Sequence, residues 1–111
     1  MGDDSVENKR IRLWLDDMRP MPADYDYHAK TAKEAIAILE RGEVDHIGFD
    51  HDLGDDYDGT GYTVALQIEK EAYLLKRKPP TWSIQSSNPV GRKKIDITMQ
   101  NAHKYWNNMN E

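Results

Sequence analysis

Residues 11–17 read IRLWLDD, a short apolar run with one arginine that ends at two aspartates, Asp16 and Asp17. This pattern predicts a buried β-strand that leads directly into a loop. Residues 44–52 repeat the pattern as VDHIGFDHD, so that Asp50 and Asp52 follow a second apolar run. The chain is therefore expected to contain two strands that each deliver carboxylates at their carboxyl ends.

A helix is predicted between these two strands. Thr31 is suited to cap its amino end, Glu34 completes a capping box, and Gly42 is suited to end the helix. A weaker strand at residues 25–29 precedes this helix. Another helix is predicted after Gly61, because apolar residues recur there at helical spacing. Its predicted inner face consists of Val64, Ile68, Ala72 and Leu75.

The last part of the chain supplies one more strand and one more helix. The strand is predicted at residues 81–85, and Asn88 is suited to cap the helix just ahead of a proline. Because strands and helices alternate, the strands should run parallel and be joined by right-handed crossovers. We therefore expect one α/β domain at residues 10–107, between a flexible lead-in at residues 1–9 and a short tail at residues 108–111.

Composition and charge argue against several classes of protein. The 111 residues include no cysteine, which excludes a disulfide scaffold, a thiolate zinc site and a cysteine nucleophile. The net charge of −5 argues against general binding of nucleic-acid backbones. No apolar run approaches the roughly 20 residues of a membrane span, and the acidic start lacks the features of a signal peptide. The expected location is the cytoplasm.

Three loops are predicted to meet at the carboxyl edge of the sheet, where ligands bind in open parallel sheets. They are residues 16–19, the Gly- and Asp-rich residues 50–61, which we expect to close over the site, and residues 85–88. Asp16, Asp17 and Asp50 would repel one another there unless a cation lies between them, and hard oxygen ligands favour Mg²⁺ or Mn²⁺. In the alternative interpretation, Asp16 and Asp17 cap a turn, and the acidic residues after Asp50 form a solvated loop.

Three motifs resemble those of the cyclic-phosphate-processing receiver-like domains. They are LWLDD at residues 13–17 with Arg19-Pro20, FDHDLGDD at residues 49–56 with TGY at residues 60–62, and SSNPVG at residues 86–91. The resemblance implies a flavodoxin/receiver-like, three-layer α/β fold. It also implies a role in hydrolysing or otherwise handling cyclic phosphates on nucleotides or RNA ends. We expect a truncated parallel sheet of about four strands in the order 2-1-3-4, because the final helix uses the residues that a fifth strand would need.

Departures from two related patterns bear on the activity. In the more distantly similar phosphorelay receivers, a fifth strand carries a lysine that contacts the phosphoryl group, and this chain has no candidate for that strand. His51 directly after Asp50 is also unlike those proteins, so phosphorelay signalling is not expected. In the nearer family, His-Ser is common where this chain has Gln85-Ser86. The Gln85 amide can bind a phosphate oxygen, but it cannot transfer a proton at neutral pH.

Each polar side chain at this edge has a predicted role. The catalytic residues are expected to be Asp50, His51 and Asp52, with His51 as general acid or base and Asp52 either completing the metal shell or orienting His51. His51 could instead be a loop histidine that is hydrogen-bonded for structure. Arg19 is either a phosphate-binding fork or the partner of an aspartate in an ion pair. The other predicted phosphate-binding residues are Thr60, Gln85, Ser86 and Asn88.

These observations leave three functions open. The first is metal-dependent hydrolysis of a cyclic phosphate on a nucleotide or RNA end. The second is a non-catalytic, receiver-like module that binds a phosphorylated ligand or a protein partner, which the glutamine at position 85 favours. The third is a small acidic protein that occupies a nucleic-acid-binding surface, for which the net charge is modest. The expected partner is a phosphorylated small molecule or a nucleic-acid end, and no membrane partner is expected.

Overall fold

The computed structural model describes residues 10–54 and 59–109. The strands are β1 (Ile11–Leu15), β2 (Tyr27–Ala29), β3 (Val44–Phe49) and β4 (Thr81–Ile84). The helices are α1 (Ala32–Leu39), α2 (Gly61–Tyr73) and α3 (Pro89–Met109). In the described residues, the four strands form one parallel sheet in the order β2-β1-β3-β4, which confirms the predicted α/β receiver-like fold and strand order.

The predicted domain boundaries can be compared only in part with these elements. The predicted lead-in at residues 1–9 lies outside the described residues, and so do residues 110 and 111 of the predicted tail. The helix α3 extends through Met109 and so includes the first two residues of that tail. None of the helices in the described residues combines the length and the apolar content that crossing a membrane requires.

The hydrophobic core lies between one face of the sheet and the three helices. Alternate residues of the central strands, such as Leu13 and Leu15 in β1, point to this face and are fully buried. The same cluster includes side chains from every helix, which are Ala32, Ala35 and Leu39 of α1, Val64, Ala65, Ile68 and Ala72 of α2, and Ile95, Met99 and Ala102 of α3. All three helices therefore cover the same face of the sheet.

The opposite face of the sheet carries a loop instead of a helix. Pro20 and Pro22 keep the connection between β1 and β2 from being helical. This connection buries Tyr25, whose ring lies edge-on to Trp14 with centroids 4.9 Å apart. A Cβ atom at Gly48 would lie only 2.9 Å from the Tyr25 hydroxyl, so glycine makes room for this packing. The third layer that the resemblance implied is thus a loop in this chain.

The helix ends follow the predicted signals with two exceptions. Glu34 does not complete the predicted capping box with Thr31, because its Oε1 accepts instead from the Lys30 N–H at 2.8 Å. The hydroxyl of Thr31 accepts a hydrogen bond from the Glu34 N–H, and Gly42 has a φ of +80° after the end of α1. The prediction that Leu75 lies on the inner face of α2 is wrong. That helix ends at Tyr73, and Leu75 is exposed with a φ of +57°, a left-handed conformation that side chains other than glycine rarely adopt. The apolar spacing continues past the point where the backbone leaves the helix.

Candidate metal and phosphate site

Parallel hydrogen bonding continues past the strand ends and places the aspartates side by side. The Asp16 N–H donates to the Ala29 carbonyl at 3.0 Å, and the Asp50 N–H donates to the Leu15 carbonyl at 2.9 Å. As a result, one carboxylate oxygen from each of Asp16, Asp17 and Asp50 lies within 4.8 Å of the others. The structure therefore brings together the three predicted metal ligands at the carboxyl edge of the sheet.

Asp16 is fully buried but well supplied with donors. Its Oδ1 accepts hydrogen bonds from the backbone N–H groups of Arg19 at 2.8 Å and Met18 at 2.9 Å. Burial alone would raise the pKa of Asp16, but these bonds and those from the side chains of Arg19 and Gln85 outweigh it and lower the pKa below its ordinary value. Asp16 is therefore ionised at neutral pH.

Asp50 and Asp17 are less well compensated than Asp16. Burial and the neighbouring charge of Asp16 raise the pKa of Asp50 above its ordinary value, although Arg19 opposes the shift. The Oδ1 atom of Asp17 is buried and has no hydrogen-bond partner among the described residues. A buried acceptor without a donor is unfavourable, and a divalent cation with hard oxygen ligands would satisfy it. The donor set consequently fits Mg²⁺ or Mn²⁺.

Arg19 lies beside this group of carboxylates. Its Nη1 atom is 3.1 Å from Asp16 Oδ2 and 3.6 Å from Asp50 Oδ1, and the side chain is 40% exposed. The ion pair that the sequence left as one alternative is thus present. A guanidinium held between two carboxylates partly neutralises them, and its exposed position leaves it able to turn outward.

His51 is held by Asp52 on the outer side of the site. His51 Nδ1 lies 2.9 Å from Asp52 Oδ1, and this hydrogen bond is the main cause that lowers the pKa of Asp52. Because an ionised carboxylate can only accept, the proton of neutral His51 is on Nδ1 and Nε2 is left as the basic nitrogen. Asp52 is not part of the acidic cluster among the described residues, so its geometry matches the orienting role.

The amino end of α3 holds Asp52 and contacts the His51 ring. Asn88 Nδ2 lies 3.4 Å from Asp52 Oδ1, and Asn88 Oδ1 accepts a hydrogen bond from the Gly91 N–H at 3.0 Å. A Cβ atom at Gly91 would collide with the imidazole of His51. The glycine therefore lets the histidine pack directly against the helix.

The other predicted phosphate-binding residues make mainly structural contacts. The hydroxyl of Thr60 accepts from the Tyr62 N–H and caps α2, and the buried Ser86 hydroxyl accepts from the Asn88 N–H. Gln85 Nε2 donates to the Leu15 carbonyl at 3.2 Å and lies 3.4 Å from Asp16 Oδ2. Gln85 thus connects the end of β1 to the Asp16 carboxylate. Phosphate binding by these three residues stays a prediction.

Sequence reasoning missed two supporting residues. His28 is not among the residues predicted to form the site, but its Nε2 lies 2.8 Å from the Asp16 carbonyl and must donate to it. Gly54 has a φ of +66°, and a Cβ there would lie 2.9 Å from Asp17 Oδ2. The glycine lies within a recognised motif, but only the structure shows its reason. Residues 55–58 of the loop that we expected to close over the site lie outside the described residues.

Comparison with known protein families identifies a match over most of the chain. A family model described as the cyclic-phosphate processing receiver domain matches residues 11–101. The matched range includes all four strands and every residue of the candidate site. No curated protein and no solved structure matches the chain significantly.

Proposed function

Because the chain belongs to the cyclic-phosphate-processing receiver domains, we propose that it is a metal-dependent hydrolase of a cyclic phosphate on a nucleotide or an RNA end. The observation that carries this proposal is the convergence of three carboxylates on one point, with a buried and unpartnered oxygen on Asp17. Asp16, Asp17 and Asp50 would hold Mg²⁺ or Mn²⁺. The bound ion would polarise a phosphoryl oxygen and stabilise the negative charge that develops there.

His51 would move the protons in this reaction. Hydrolysis forms a bond between water oxygen and phosphorus and breaks one of the two ester bonds of the ring. The water proton goes to Nε2 of His51, while the hydrogen bond from Nδ1 to Asp52 orients the ring. The imidazolium can then return a proton to the departing ester oxygen, which balances the protons of the reaction.

Arg19 would bind the phosphate after the metal has taken its place. Its guanidinium lies between Asp16 and Asp50, which a metal ion would neutralise more fully. Released from the carboxylates, a guanidinium is suited to bind two phosphate oxygens at once. The amino end of α3, with Ser86 and Asn88, would provide further donors for the anion.

Gln85 favours a second candidate function, a non-catalytic module that binds a phosphorylated ligand or a protein partner. The side chain donates to the Leu15 carbonyl and lies near Asp16, and no titratable group occupies this position. If the family reaction needs an imidazole here, the chain would bind its ligand without turning it over.

Incubation with 2′,3′-cyclic nucleotides and Mg²⁺ or Mn²⁺ separates the two functions. The hydrolase should open the cyclic phosphate only with metal present, and Gln85→His should increase the rate because it restores a titratable group beside Asp16. Gln100→His, on the exposed surface of α3, is the matched control and should have no effect. If wild type and Gln85→His are both inert over cyclic mononucleotides, cyclic dinucleotides and cyclic-ended RNAs, the hydrolase proposal fails and the binding module replaces it.

A further inference from the structure

A cavity of about 470 Å³ lies at the amino ends of the strands, opposite the acidic site. Val44 and Thr81, the first residues of β3 and β4, line it, together with Leu39 at the end of α1 and Arg10 just before β1. Small-molecule sites typically enclose roughly 300 to 1,000 Å³, so this cavity has the size of a ligand site. None of the residues proposed to bind metal or phosphate belongs to it.

The charged side chains around the cavity are mainly cationic. Lys76, Arg77, Lys78 and Arg10 face two carboxylates, although the chain as a whole has a net charge of −5. Arg77 is committed to the buried Glu71, with Nε 3.0 Å from Oε1. In the part of the chain that the structure describes, Lys76, Lys78 and Arg10 have no ion-pair partner. Among the described residues, these three positive charges at the cavity are therefore not paired with a carboxylate.

The two carboxylates at the cavity, those of Glu71 and Asp45, both accept hydrogen bonds from other groups of the protein. Glu71 also accepts a hydrogen bond from Gln67 at 3.0 Å, which leaves it well satisfied beside Arg77. Asp45 accepts from the backbone N–H of Ile11 at 2.9 Å. Both carboxylates keep their negative charge, but they are outnumbered by the four cations at the cavity, which is therefore positively charged on balance.

The cavity wall also has an apolar part. It is formed by Leu39, Val44, Ile68, Pro79 and Pro80. Both prolines are buried, and they bring the chain back toward the sheet after the basic residues. Apolar walls with a few charged groups at one side are typical of sites for small molecules that have both a charged and an apolar part.

A tight turn at the end of α2 carries the lysines to the cavity. The N–H of Lys76 donates to the Glu71 carbonyl at 2.8 Å, and Leu75 between them adopts the left-handed conformation. Glycine is the usual residue at this position of a helix end, because a side chain makes the conformation unfavourable. The chain thus maintains this turn with a residue poorly suited to it, directly before Lys76.

We propose that this cavity binds a small molecule that carries one phosphate group and a compact apolar or aromatic body, at a site separate from the acidic cluster. Lys76, Lys78 and Arg10 would bind the phosphate group of the ligand. Three cations match the double negative charge of a phosphate better than they match the single charge of a ligand carboxylate. The apolar wall would cover the body of the ligand. This binding needs no divalent metal and does not depend on the proposed hydrolysis.

Titration of the protein with AMP, followed by amide NMR in the presence of a chelator, tests this proposal. We expect saturable shifts centred on Val44, Thr81 and the basic segment 76–78, at millimolar AMP or below. The variant Lys76→Ala/Lys78→Ala should weaken AMP binding at least fivefold. The matched control Lys33→Ala/Lys104→Ala removes the same charge from exposed helix positions outside the cavity and should bind AMP like wild type.

Three further titrations decide which part of the ligand is recognised and where. Adenosine and inorganic phosphate should each bind at least fivefold more weakly than AMP, and Asp50→Asn should bind AMP like wild type. Equal binding of adenosine would overturn the role of the lysines, and equal binding of phosphate would overturn the role of the apolar wall. Shifts centred on Asp16 and Asp50, or the absence of saturable shifts, would overturn the site itself.

Discussion

The two ends of the sheet carry opposite charge, and they differ most in how completely that charge is compensated. At the carboxyl end, Asp16 and Asp50 are buried and share the single guanidinium of Arg19, while Asp17 keeps an unpartnered buried oxygen. At the amino end, Glu71 is fully satisfied, and the surplus charge is on exposed lysines. Unpaired charge is far more unfavourable in the interior than in water. The acidic end should therefore respond strongly to changes in charge, and the basic end weakly.

The largest expected effect concerns turnover at the acidic end. His51→Ala should lower the rate of cyclic-phosphate hydrolysis by about 10² to 10⁴, because it removes the proposed general acid and base, and it should leave metal binding intact. Asp50→Asn should impair both. His46→Ala, on the loop-covered face of the sheet, is the matched control and should turn over like wild type. Unchanged turnover in His51→Ala would remove the proposed proton-transfer role.

In the absence of metal, the ionised Asp50 side chain should lower the free energy of unfolding at neutral pH. Its folded-state pKa lies above the ordinary value of 3.8, so its contribution to stability is present below 3.8 and is lost as pH rises through the folded pKa. At neutral pH, Asp50→Asn should therefore raise the free energy of unfolding by about 1 kcal/mol in the presence of a chelator.

The pH dependence supplies the check on this prediction. In urea unfolding, the advantage of Asp50→Asn should shrink as pH falls through the raised pKa toward 3.8. An advantage that is independent of pH would show that the gain comes from packing. A lower free energy of unfolding in Asp50→Asn than in wild type at neutral pH would also contradict this effect of the Asp50 charge.

Substitution of Arg19 tests whether its guanidinium competes with a metal ion for the carboxylates at the acidic end. Its guanidinium occupies the space between Asp16 and Asp50, so a metal ion must compete with it. Arg19→Gln should tighten Mn²⁺ binding by about fivefold in calorimetry, which corresponds to about 1 kcal/mol, the upper range for a partly exposed ion pair. The matched control is Arg41→Gln, an exposed residue far from the cluster. Weaker Mn²⁺ binding in Arg19→Gln would contradict the competition.

The smallest expected effect lies at the basic end. Leu75→Gly places the residue that tolerates a positive φ at the turn after α2 and should raise the free energy of unfolding by about 0.5 to 1 kcal/mol. Leu74→Gly, one residue earlier where φ is negative, should instead lower it. Thermal unfolding of the two variants measures the difference. A loss of stability in Leu75→Gly would show that the leucine side chain is favourable where it lies.

The sheet and its acidic edge could be predicted because their signals are local. Apolar runs define β1 and β3, and parallel pairing then places Asp16 and Asp50 next to each other without further information. The position of Gln85 could not be predicted, because its amide donates to the distant Leu15 carbonyl and packs against Gly48, where a Cβ would lie 3.1 Å from Gln85 Oε1. Both facts depend on neighbours distant in the sequence.

The conformation of Arg19 and the basic cavity likewise could not be predicted from the sequence. A three-residue spacing allows an arginine either to pair with Asp16 or to point toward a ligand, and only the folded structure distinguishes these positions. The cavity is assembled from residues as far apart as Arg10 and His103. Leu75 fits the apolar period of α2, and its exclusion from the core depends on the hydrogen bonds that close the helix end.

Paramagnetic broadening by Mn²⁺ tests the proposed metal site most directly. At substoichiometric Mn²⁺, the amide signals of Asp16, Asp17 and Asp50 should disappear first in wild type, and Asp50→Asn should abolish this selectivity. Asp45→Asn, at the opposite end of the sheet, is the matched control and should leave the pattern unchanged. Broadening that is the same in wild type and Asp50→Asn, or that spreads evenly over exposed acidic residues, would contradict a metal site at the carboxyl edge of the sheet.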